Sequence, residues 1–179
     1  MSLADLIDAL PEYAEDQKRN LTALAGETVL SEQQKWGCFL ACAYATGERS
    51  VLLAMEQESG ARISPEACTA ARTAVAIMAM NTVYFRAVNL LSNHSYRKTP
   101  IDLSMAALTH PGIDKIDFEL WSLAVSAVNG CGACLNAHEA ELRAHDVSPD
   151  RILAALRIAA VVAAASTVLR AEASLAAGK

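Results

Sequence analysis

Apolar residues recur along this chain at intervals of three and four, and no segment sustains an alternating apolar–polar pattern. That period predicts helices and no strand. Helices are expected over 3–9, 12–24, 31–45, 49–59, 65–91, 101–109, 115–128, 131–146 and 149–175. Gly47, Gly60, the stretch from Asn93 to Pro100, Pro111-Gly112 and Asn129-Gly130 break the pattern. Ser31, Ser64 and Ser148 stand where N-caps belong, and Pro65 and Pro149 occupy the first helical position, where a missing N–H costs nothing. The fold class is therefore all-α.

The pattern also repeats. Trp36 opens a stretch that runs through a turn to Ser64-Pro65-Glu66-Ala67, and Trp121 opens another that runs to Ser148-Pro149-Asp150-Arg151. Each is followed by an alanine-rich helix, one ending in Phe85-Arg86-Ala87 and the other in Leu169-Arg170-Ala171. The expectation is one helical domain, residues 1–179, built from a duplicated unit spanning about 31–91 and 115–175. The copies differ at their first turn. Thr46-Gly47-Glu48-Arg49-Ser50 stands in one, and a pair of cysteines in the other.

Composition sharpens this picture in three ways. Hydrophobic residues make up 53% and aromatics only 5%, a balance that suits close-packed helices. The net charge of −5 supplies no basic stripe for nucleic acid. Met1–Leu10 carries Asp5 and Asp8 and lacks a basic leader, while the apolar run Ile152–Leu169 is interrupted by Arg157. These features predict a cytoplasmic protein without a membrane span. Five cysteines without an export signal argue against a structural disulfide framework.

The candidate chemistry lies in Asn129-Gly130-Cys131-Gly132-Ala133-Cys134, followed by His138. On a helix beginning at Cys131, the residues Cys131, Cys134, Leu135, His138, Leu142 and His145 share one stripe, with Glu139, Glu141 and Arg143 elsewhere. The helix N-terminus favours a thiolate at Cys131, and His138 could take the proton of Cys134. On the preceding helix, Glu119, Ser122 and Ser126 form a polar stripe within an apolar run. In an antiparallel hairpin Glu119 would lie at about 15 Å and His138 at about 10 Å from the turn, so a Glu–His–Cys relay is geometrically open. Three readings remain from the residues themselves: a redox dithiol, a zinc site completed by Cys38 or Cys42, and two ordinary buried cysteines. Cys38, Cys42, Met78, Met80 and Met105 read as core, Cys68 has no acid–base partner in view, and His94 and His110 read as surface residues. His145 lies two turns beyond His138 and is left out of the site.

Glu119-Leu120-Trp121, the Asn129-Gly130-Cys131-x-x-Cys134 turn and His138-Glu139 together resemble the alkyl hydroperoxidase D (AhpD) family of the carboxymuconolactone decarboxylase-like superfamily. Leu10-Pro11-Glu12-Tyr13-Ala14 and the stretch from Ala76 to Tyr84 extend the resemblance to the whole chain. The resemblance implies a helical, homotrimeric protein that reduces alkyl hydroperoxides or hydrogen peroxide. It implies that Cys134 attacks peroxide, that Cys131 resolves it and exchanges with lipoamide, and that Glu119 and His138 form the relay. Nothing tightly bound is implied. Electrons would come from dihydrolipoamide on a lipoyl-bearing acyltransferase served by dihydrolipoamide dehydrogenase, and could pass on to a partner peroxiredoxin of the AhpC type. One residue departs from the pattern: some family members have histidine before the second cysteine, where this chain has Ala133. That departure leaves room for an electron-transfer adaptor with little peroxidase activity. A ring-opening or decarboxylating enzyme of the wider superfamily would have no need of the dithiol.

Overall fold

A computed structural model describes residues 1–178, so Lys179, the last residue of the expected domain, lies outside the described residues. The described residues contain nine α-helices and no strand: α1 Leu3–Ala9, α2 Glu15–Gly26, α3 Glu32–Thr46, α4 Arg49–Gly60, α5 Pro65–Leu90, α6 Ala106–Thr109, α7 Lys115–Val128, α8 Gly132–Ala144 and α9 Pro149–Ala177. Short 3₁₀ turns cover Glu12–Ala14 and His94–Lys98.

The caps explain where the helices start. Ser31 and Ser64 accept the N–H groups of Gln34 and Ala67, and Pro65 and Pro149 sit in the first turn. Ser148 occupies the N-cap of α9 but makes no side-chain cap bond.

The centre of the bundle is the pair α3 and α7, flanked by α5 and α9. Residues Gln34–Ala43 and Asp117–Ser126 are buried without a break. The two helices approach closely because residue 37 is glycine. A Cβ there would stand 2.1 Å from Cε2 of Trp121. The indole N–H of Trp121 donates to the Gln34 carbonyl at 3.1 Å. Buried Asp117 accepts from the Gln33 and Gln34 side-chain amides, each at 2.7 Å, as burial requires, whereas the buried Ser122 Oγ of the same helix has no hydrogen-bond partner among the described residues.

Two sequence expectations need correction. The helix expected over 101–109 shrinks to Ala106–Thr109. Pro100 lacks a donor, Asp102 takes φ 47°, and residues 102–104 are exposed, so the first half of this segment has no packed apolar face to sustain a longer helix, while Ala107 and Leu108 pack against the core. The helix expected over 12–24 is divided, because Ala14 leaves helical geometry (φ −106°, ψ 27°) between the 3₁₀ turn and α2. Helix α9 proves longer than its apolar run suggested. At 29 residues, with a window of mean hydropathy 2.2, it is long and apolar enough to cross a membrane, yet half that window is buried inside the bundle.

Candidate active site

The turn between α7 and α8 is built by its backbone. Gly130 takes φ 68°, a left-handed conformation that glycine adopts without steric cost. Its N–H donates to the Ala127 carbonyl at 3.1 Å, and the next N–H, of Cys131, donates to the Ser126 carbonyl at 3.0 Å. This is a Schellman ending to α7. It delivers Cys131 directly to the N-cap of α8, where its sulfur accepts the Cys134 N–H at 3.3 Å. The two cysteines form a disulfide with Cα atoms 5.3 Å apart. Both are nearly buried, at 2% and 5% exposure.

Glu119 and His138 meet across the hairpin, as the heights counted from the turn allowed. His138 Nδ1 lies 2.6 Å from Glu119 Oε2, and both side chains are buried. Glu119 is thus no solvated residue of a helix face. On the opposite edge of the ring, His138 Nε2 lies 3.1 Å from the Met78 sulfur. The expected stripe on α8 holds for Cys131, Cys134, His138 and Leu142, which are all buried. It fails at His145, which is exposed and leans on the Glu141 carbonyl.

Two cavities flank the disulfide. One, of about 300 Å³, is lined by Asn81, Phe85, Met105, Leu108, Ala133, Cys134, Ala137 and His138, and its walls are almost wholly apolar. The other, of about 240 Å³, is lined by Arg86, Asn89, Leu90 and the turn residues Gly130 to Ala133. Cys134 therefore faces one cavity and Cys131 the other, with Ala133 bordering both.

The remaining cysteines are free and buried. Burial pushes the thiols of Cys38, Cys42 and Cys68 upward, which keeps them protonated and unreactive. Cys38 and Cys42 belong to the α3 core. Among the described residues, no three His, Cys, Asp or Glu side chains group closely enough to hold a metal ion. His94 and His110 are exposed.

Sequence reasoning missed Met78, Asn81 and Phe85 on α5 and the outer wall made by Met105 and Leu108. A signal existed for α5. Asn81 and Thr82 fall on the same helical face as Ala74 and Met78, and all four are buried. Polar residues on a buried face mark a helix that serves more than packing.

Comparison with known proteins places this architecture. Residues 95–177 match the carboxymuconolactone decarboxylase family model, a region that contains the cysteine turn, His138 and Glu119. Along nearly its full length the chain is similar to proteins named alkyl hydroperoxide reductase AhpD. The one from Hyphomonas neptunium is 56% identical over 177 residues, covering 99% of this chain and 98% of the relative. That from Maricaulis maris is 54% identical over 172 residues, covering 96% and 99%. That from Streptomyces coelicolor is 50% identical over 177 residues, covering 99% of each. At this identity and coverage, the chain belongs to the AhpD family.

Proposed function

We propose that this chain is a lipoyl-dependent thiol peroxidase: it reduces hydroperoxides with the Cys131–Cys134 pair and is re-reduced by a dihydrolipoyl group. The observation that carries the reading is the two-sided dithiol. Cys134 and His138 share an apolar cavity suited to an alkyl hydroperoxide, buried Glu119 backs His138 from outside the cavity wall, and Cys131 opens on the opposite side.

In the reduced protein, the Cys134 thiolate attacks the terminal peroxide oxygen and the O–O bond breaks. The leaving alkoxide takes a proton from His138 and departs as the alcohol, leaving Cys134 as a sulfenic acid. The Cys131 thiol condenses with it, water leaves, and the disulfide re-forms. A dihydrolipoyl thiolate then attacks Cys131 from the second cavity and Cys134 leaves as thiolate. The donor's other thiol closes its own ring and frees Cys131. The homotrimer and the cytoplasmic setting belong to the same proposal. Val83, Leu90 and Leu91 are exposed apolar side chains near the end of α5 that a neighbouring copy would cover, and three free thiols suit a reducing compartment.

Ala133 favours a second reading. It borders both cavities without a polar group to offer a thiolate, so electrons could pass on to a partner peroxiredoxin instead of directly to peroxide. One assay separates the two. NADH oxidation is followed with dihydrolipoamide dehydrogenase, lipoyl protein, this chain and a hydroperoxide. Turnover without peroxiredoxin, lowered by at least about 10³-fold in Cys131→Ser and Cys134→Ser, supports the peroxidase. Turnover only with added peroxiredoxin supports the adaptor, and turnover indifferent to both cysteines overturns both readings.

A further inference from the structure

Met78 is fully buried in α5, and its sulfur lies 3.1 Å from His138 Nε2, on the edge of the ring opposite Glu119. A thioether carries no hydrogen and can only accept. The contact is a hydrogen bond only when Nε2 bears a proton. At the other edge, 2.6 Å between Nδ1 and Glu119 Oε2 requires a proton as well, because two bare lone pairs would repel at that distance. Taken as hydrogen bonds, the two contacts together require two hydrogens, one between Nδ1 and Oε2 and one on Nε2. Ser126 Oγ also lies near the sulfur, at 3.5 Å. Its single hydrogen has a nearer acceptor, the Ser122 carbonyl at 2.7 Å, so the thioether is left to the histidine.

We propose that Met78 is a positioning residue of the redox site: its sulfur holds His138 as an Nε2–H donor. The inference rests on the peroxidase reading above. When the Cys134 thiolate breaks the O–O bond, the leaving alkoxide takes the Nε2 proton and becomes the alcohol. A bare Nε2 then faces a bare sulfur with no hydrogen between them, and a proton from solvent restores the pair. Any apolar side chain of similar volume would fill the same space, but none would accept a hydrogen bond.

The test is nitrogen NMR of the oxidised protein with labelled histidine at neutral pH, the His138 signals being those absent from His138→Gln. The expected result is a hydrogen bonded directly to Nε2 in the unaltered protein. In Met78→Leu that hydrogen is lost and peroxide turnover falls about fivefold, the worth of one hydrogen bond. Met78→Gln, whose amide oxygen can accept, restores most of both. A bare Nε2 in the unaltered protein overturns the proposal, as does a Met78→Leu protein with the same His138 signals and the same turnover. The unaltered protein is read without substitution and without peroxide. Failure of Met78→Leu to fold therefore leaves the proposal testable, and a chain that proved inert toward peroxides would sink the functional reading without deciding the His138–Met78 bond.

Discussion

At the end of α3, Gly47 takes φ 65° and Glu48 caps α4, accepting the Val51 N–H at 2.7 Å. At the end of α7, Gly130 takes φ 68° and Cys131 caps α8, accepting the Cys134 N–H at 3.3 Å. Three residues after each cap stand Val51 and Cys134, and seven after stand Met55 and His138, all buried. Two residues before each tryptophan stand Gln34 and Glu119, also buried. The first turn is closed from above. Ser166 donates to Thr46 Oγ1 at 2.9 Å, and Arg170 donates to the Thr46 carbonyl at 2.7 Å. Over the second turn, Asn129 reaches Thr82 only at 3.5 Å, and Arg86 borders a cavity beside Cys131. The same backbone and burial pattern thus carries Val51 and Met55 at one turn, and Cys134 and His138 at the other. Burial positions the side chains at both, while the second turn combines a disulfide, a histidine and bordering cavities, the site of the reading proposed above.

The largest break in that comparison comes from making the second unit resemble the first. Glu119→Gln places at position 119 the residue found at 34. Gln34 is satisfied by donating to Asp117, whereas a glutamine at 119 can neither supply nor take up a proton from His138. Peroxide turnover should fall about 10²-fold with the helical fold intact, read by the coupled NADH assay alongside a thermal melt. Undiminished turnover would show that the buried carboxylate has a structural role alone, as Gln34 has in bonding Asp117 and the α3 cap.

A smaller effect, on stability, should follow from the shared core. Gly37 and Ser122 each follow a tryptophan, and Gly37 receives the indole ring of Trp121. Gly37→Ala forces Trp121 from its place and should cost about 3 kcal/mol, lowering Tm by about 6–12 °C. An unchanged Tm would mean that the α3–α7 seam is more yielding than its unbroken burial suggests. This seam was only half legible beforehand. Periodicity gave both helices, but nothing local reveals that a glycine and an indole 84 positions apart share one volume. The site divides in the same way. Cys131, Cys134 and His138 could be read from one helical stripe, whereas counting along a hairpin only left Glu119 within reach, and the family resemblance is what put it in the candidate site. Met78 could not, because its role depends on where α5 crosses α8, and a methionine on a buried face reads as packing. The first half of segment 101–109 misled because a run with helical composition has no helix to form without an apolar surface to cover, whereas Ala106–Thr109, with Ala107 and Leu108 on the core, stays helical.

The finest difference between the turns rests on two arginines in similar sequence, Phe85-Arg86-Ala87 and Leu169-Arg170-Ala171. Arg170 spends its guanidinium on the Thr46 carbonyl and so closes its turn. Arg86 makes no comparable bond to the turn at Gly130 and lines the cavity on the Cys131 side, where a positive charge favours an attacking or departing thiolate. Arg170→Ala should lower Tm by about 2 °C and leave reduction of the disulfide untouched. Arg86→Ala should do the reverse, leaving Tm unchanged and slowing reduction by dihydrolipoamide up to about fivefold, less at high salt because the charge is exposed. Stopped-flow reduction of the disulfide in low and high salt, paired with melts of both variants, reads the two effects separately. Two variants with the same signature would mean that both arginines merely fasten helix ends, and that the second turn owes its open side to nothing more than a shorter reach.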